Sequence, residues 1–203
     1  MAAVQLVSFV ADTDVMEWRS VWKPLVATAV GVALLWVAFV LGRRIPLLSM
    51  FDLGIHELGH LIFRPFGMVA HFIMGSGLQV LVPFGLAGYF WFWPRDRLSS
   101  GLLMCWGATS LQDASVYIAD APYRSIQLIG GTHDWWWLLS RWRHLEWADE
   151  IGRGVWLAGL VLGLVGLGVV AAPLARDVWD AMGRRPAIRL DGPVRVRSPR
   201  PPV

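Results

Sequence analysis

Residues 154–174, GVWLAGLVLGLVGLGVVAAPL, contain not one charged side chain. A run of this length matches the roughly 20 residues that a helix needs to cross a bilayer. At that depth no water is present to satisfy free backbone N–H and C=O groups, so the run must be helical. Three more stretches read the same way: 22–41, 76–93 and 99–119. A fifth, 46–63, is slightly short. The chain is 56% hydrophobic and only 16% charged, where a soluble domain carries about a quarter charged residues. The expected fold is an all-α polytopic membrane protein with about five transmembrane helices, which makes up a membrane-embedded domain over 1–174.

The chain ends differently. Residues 175–203 hold seven Arg and a Pro-rich close, RSPRPPV, without apolar periodicity, and are expected to form a disordered basic tail. Arg43 and Arg44 follow the first span and Arg95 and Arg97 the third. With the tail they put eleven basic residues on one side against seven on the other. The positive-inside rule then sets the N-terminus outside and the tail in the cytoplasm. The expected location is a bacterial inner (plasma) membrane, with lipid as a partner and nucleic acid excluded. Asp12, Asp14 and Glu17 argue against a cleavable signal peptide near the start. Cys105 is the only cysteine, which rules out an intramolecular disulfide and any Cys-based metal cluster.

One segment breaks the apolar pattern. GIHELGHLIF, residues 54–63, sets two histidines and a glutamate within a span, where each ionisable group costs about 2.5–3.5 kcal/mol on insertion scales. Residues four apart share a helix face, so His56 and His60 can offer both imidazoles to one metal ion. Glu57 sits beside them, within reach of water at that ion. This is the HExxH pattern of two zinc ligands and a general base. A purely structural polar network between helices is the competing reading.

A hydrolytic zinc site needs a third protein ligand and an open position. SLQDASVYIADAP sets Asp113, Tyr117 and Asp120 on one face of the fourth span. The second and fourth spans run in the same direction, which brings Asp120 to the depth of His60. His133, after Gly130-Gly131, could instead fold back over the site as third ligand or as a group orienting one. His71 and His144 read as interfacial. FGMVAHFIMGSGLQV, with Gly75 and Gly77, reads equally as a loop or as a short re-entrant hairpin. The Trp- and Arg-rich segment GGTHDWWWLLSRWRHLEW suits a helix at the membrane interface, and Gly159 with Gly163 suits close helix packing.

HELGH within a span, then FGMVAHFIMGSG and an aspartate ending a later span, resembles the site-two protease family of intramembrane zinc metalloproteases over residues 46–122. The resemblance implies zinc on His56, His60 and Asp120, with Glu57 as catalytic base. The chain departs from the family pattern in having no Asn and in reading Asp120-Ala121 where an Asp-Gly is expected. The implied activity is zinc-dependent hydrolysis of peptide bonds in membrane-protein substrates. The alternative is a non-proteolytic membrane protein with a structural or binding metal site.

Overall fold

A computed structural model of the chain describes residues 21–128 and 131–183. The described residues are helical and contain no strand. The elements are α1 (Val21–Val40), α2 (Pro46–Phe63), α3 (Met68–Phe92), α4 (Arg97–Ala119), α5 (Asp134–Trp142) and α6 (Ala148–Gly183). The last turn of α1, Trp36–Val40, is a π-helix.

Three helical runs are long and apolar enough to cross a membrane: Val21–Val40, Met68–Phe92 and Leu145–Asp180. The stretches expected as the second and fourth spans are also helices, α2 and α4, but are not among these three. Each carries buried polar or ionisable side chains, Asp52 and His56 on α2 and Ser110 and Gln112 on α4. Buried Asp52 of α2 accepts hydrogen bonds from Trp106 Nε1 at 2.9 Å and from the Ser110 hydroxyl at 3.1 Å, both on α4.

Cross-helix contacts give the directions. Ser100 donates to the Ala87 carbonyl, and Gln79 donates to Asp113, so α3 and α4 are antiparallel. Asp52 meets Ser110 while His56 meets Tyr117, so α2 and α4 run parallel, as expected. Along α4 and α6, glycine does the packing. A Cβ on Gly101 would come within 2.8 Å of the Gly166 carbonyl oxygen, and one on Gly152 within 2.9 Å of that of Ser115. Gly159 and Gly163 press on Ala108 and Leu111 of α4 and on Phe39 and Leu35 of α1, so their close packing is within the chain. Small residues matter here because they let the backbones approach closely enough for extensive dispersion contact.

Two expectations are corrected. The stretch 66–80, read as a loop or re-entrant hairpin, enters α3 at Met68 after a 3-10 turn that ends at Phe66. Gly75 is a helix contact point: a Cβ there would strike the rings of His56 and His60. The break comes earlier, at Gly67, whose φ of 101° suits glycine. At the other end α6 runs on to Gly183, so the tail expected from 175 is helical for its first residues. LARDVWDAM is made largely of good helix formers. Residues 184–203 lie outside the described residues.

Candidate metal centre

Pro46 starts α2, a position where its missing N–H costs nothing. The helix then presents Asp52, His56 and His60 at four-residue intervals toward α3 and α4. Gly59 lets α3 come up against it: a Cβ there would collide with the Met74 carbonyl. This close approach sets Gly75 of α3 opposite both histidines. An ideal Cβ on Gly75 would lie 2.7 Å from His56 Nε2 and 2.8 Å from His60 Nε2. Only glycine leaves those two nitrogens free for a third partner.

That partner is Asp134. Its Oδ2 lies 2.9 Å from His56 Nε2 and 3.2 Å from His60 Nε2. The three ligand atoms are all within 4.8 Å of one another. Ligands about 2.0–2.2 Å from a tetrahedral ion stand about 3.3–3.6 Å apart, so a small contraction or expansion accommodates one. Both ring Nδ1 atoms face oxygen acceptors: His56 the Gln79 Oε1 at 3.2 Å, His60 the His71 carbonyl at 2.8 Å. With Nδ1 protonated, each neutral ring turns an Nε2 lone pair toward the same carboxylate oxygen. In that tautomer three acceptors converge, which a cation between them would satisfy; with protons on Nε2 the rings instead donate to Asp134. The donor set of two imidazoles and one carboxylate suits zinc.

Asp134 is positioned by two neighbours. Its backbone N–H donates to the Tyr117 hydroxyl at 3.1 Å, and the next residue, Trp135, donates from its indole to Ser76 of α3. Burial pushes the Asp134 carboxyl up, but hydrogen bonds and charge from His56 and His60 outweigh it and hold it below the usual carboxylate range. Glu57 is exposed and lines the same pocket, about 570 Å³ in volume, beside His56, His60 and Asp134.

The two residues expected as third ligand are elsewhere. Asp120, at the C-cap of α4, accepts the backbone N–H groups of Ser125 and Ile126 at 3.1 and 3.0 Å and the Ser125 hydroxyl. Burial raises its carboxyl, yet those donors outweigh it and leave it below the usual range. Its role in the structure is to close the turn after α4. The side chain is committed to its own loop. His133 is the N-cap of α5, where Nδ1 accepts the Trp136 N–H at 3.2 Å. The ring proton is therefore on Nε2, which lies 3.4 Å from Asp120 Oδ2 without a well-aligned hydrogen bond. Burial holds His133 neutral by pushing its pKa down. Its ring stacks on Tyr117 at 4.3 Å, and Tyr117 meets His56 on another edge. Asp113 pairs with Arg44. His71 donates from Nδ1 to the His60 carbonyl, and His144 packs on Trp147.

The segment expected as an interfacial helix is helical in α5, but its apolar residues Leu138 and Leu139 are buried against the protein. Asp134, its first residue, carries the signal that sequence reading passed over: an acidic residue directly ahead of three tryptophans. Against protein-family models, curated proteins and solved structures the chain finds no match. What the centre can do is read from its own residues.

Proposed function

We propose that the chain is a zinc-dependent intramembrane metallopeptidase that hydrolyses peptide bonds of membrane-protein substrates, with His56, His60 and Asp134 as ligands and Glu57 as catalytic base. The observation that carries this reading is the convergence of the two HELGH imidazoles on one carboxylate, with Glu57 on the same pocket yet outside the ligand set. Among the described residues the cluster has three members. Three protein ligands with room for a fourth is the catalytic pattern, whereas structural zinc sites close with four. This count favours hydrolysis over the structural-metal alternative.

Zinc held there would supply a Lewis acid that makes water nucleophilic near neutral pH and polarises the scissile carbonyl. The remaining work belongs to the chain. Glu57 takes the proton from the attacking water on a carboxylate oxygen and delivers it to the leaving amine nitrogen. Met50, Leu53, Met68 and Phe72 give the pocket an apolar wall suited to a peptide stretch from a membrane protein. The pocket also reaches Arg44 and Asp113, a polar side from which water can enter. In this proposal α2 and α4 are membrane-embedded along with the three longer helices, giving five spans, with the tail in the cytoplasm.

The deciding experiment combines metal analysis of purified protein with Glu57→Gln. Stoichiometric zinc in both, with hydrolysis of a transmembrane peptide only by the wild type, is the expected result. Equal turnover by the variant would remove Glu57 from the mechanism.

A further inference from the structure

We infer that Gln79, Asp113 and Arg44 form a side-chain relay that fixes the tautomer and ring orientation of His56, so that its Nε2 is offered to a metal. The inference rests on the metal reading of the centre and assigns positioning roles to three residues that touch no ligand-binding atom.

The two histidines are held in unlike ways. His60 Nδ1 donates to a main-chain carbonyl, that of His71, and His71 Nδ1 returns a hydrogen bond to the His60 carbonyl at 2.9 Å. No side-chain replacement can remove the acceptor that His60 uses. His56 depends on a side chain, the Gln79 amide, whose Oε1 lies 3.2 Å from Nδ1. Gln79 is 4% exposed, and an amide can turn either its oxygen or its nitrogen toward a ring. If the nitrogen faced His56, the ring would have to accept at Nδ1 and carry its proton on Nε2, where it could not ligate.

Asp113 decides the matter. Its carboxylate has only acceptor atoms, and its Oδ2 lies 3.2 Å from Gln79 Nε2, so the amide NH₂ must face Asp113 and the oxygen must face His56. Arg44 in turn donates from Nε to Asp113 Oδ1, holding that carboxylate in place. The Arg44 side chain is 53% exposed and that of Asp113 22%. The relay therefore runs from the protein surface to the metal centre through α4 and α3. A simple helix tie would need only the Gln79–Asp113 contact; the ordered acceptor at Nδ1 is what a ligand histidine requires.

The test uses full-length protein in detergent, with zinc affinity measured by chelator competition and ring tautomers by ¹⁵N NMR of the metal-free form. Gln79→Leu should weaken zinc binding about 10- to 100-fold, the usual effect of losing such a partner. It should also move His56 away from the Nδ1–H tautomer while His60 keeps it. Gln79→Glu places two carboxylates together and should also weaken binding. Adding Asp113→Asn restores a donor facing an acceptor and should recover most of the affinity, a rescue that a packing role would not produce. Wild-type affinity in Gln79→Leu with an unchanged His56 tautomer overturns the inference. If that variant does not fold, equal affinity of wild type, Gln79→Glu and the double variant overturns it. A wild type that binds no zinc ends the metal reading instead, and the NMR comparison then still decides whether Gln79 orients His56.

Discussion

Helices α4 and α6 and helices α2 and α3 are both antiparallel pairs drawn together by glycine, yet the glycines do opposite things. Along α4 and α6, Gly101, Gly152, Gly159 and Gly166 each face backbone or Cβ atoms of the other helix. They are spaced over most of the shared length. Between α2 and α3 only Gly59 makes such a contact, and Gly75 faces two imidazole nitrogens. The first pair uses absent side chains to gain contact. The second uses one to keep a space. The lesson is that one residue type serves scaffold and site, and only its neighbours tell which.

The largest effect expected is on chemistry at the second pair. Glu57→Gln should lower hydrolysis by about 10²–10⁴-fold, the usual contribution of a positioned base, with zinc content unchanged. Asp134→Ala should lose stoichiometric zinc on metal analysis, while Asp120→Ala keeps it and instead loosens the 120–126 turn. Retained zinc in the first and loss in the second would reverse the assignment of the carboxylate.

The two glycines then sharpen the contrast. Gly75→Ala should abolish zinc binding with helix content intact by circular dichroism. Gly166→Ala, whose Cβ would lie 2.7 Å from Met104 Cβ, should destabilise the fold by about 1–3 kcal/mol through overpacking, with folded protein still binding zinc. Thermal unfolding in detergent beside metal analysis separates them; matching phenotypes would erase the distinction between scaffold and site.

The smallest effect is at the start of the scaffold pair. Asp96 caps α4 by accepting the Leu98 and Ser99 N–H groups and the Ser99 hydroxyl. The Ser99 hydroxyl contributes most to holding its carboxyl below the usual range. Asp96→Ala should cost about 0.5–2 kcal/mol. A depressed folded-state pKa means this stabilisation is fully present above the unfolded value of about 3.9 and is lost as pH falls through the folded one. The gap between wild type and variant should thus be constant near neutrality and close in acid, with no change in zinc affinity.

The helices and the histidine pair of the candidate cluster were legible in the sequence because both follow from local spacing. HELGH needs only the four-residue turn of α2, and each long apolar run needs only its own length. Asp134 was not legible, since it comes to His56 from a separate short helix through a loop. Spacing points first to Asp120, at the end of the parallel helix, and then to His133 after a Gly-Gly turn, one residue short of Asp134. Adjacent residues at a helix start point about 100° apart. The N-cap role turns His133 back onto the Trp136 N–H, and that leaves Asp134 facing the histidines. Gly75 misled for a related reason: glycine in a chain reads as a break, and its contact across a helix pair has no local signature.

The split origin of the three clustered residues carries an energetic linkage. Two come from α2 and the third from α5, which meets α3 through the Trp135–Ser76 hydrogen bond and the Phe72–Trp137 ring contact. Any ion shared by all three is also a clasp between those elements. Its measured affinity then includes the free energy of seating α5, and its removal by a chelator is felt as faster amide exchange and easier proteolytic nicking around α5. For an ion held there, loading and the order of one short helix would be a single thermodynamic quantity.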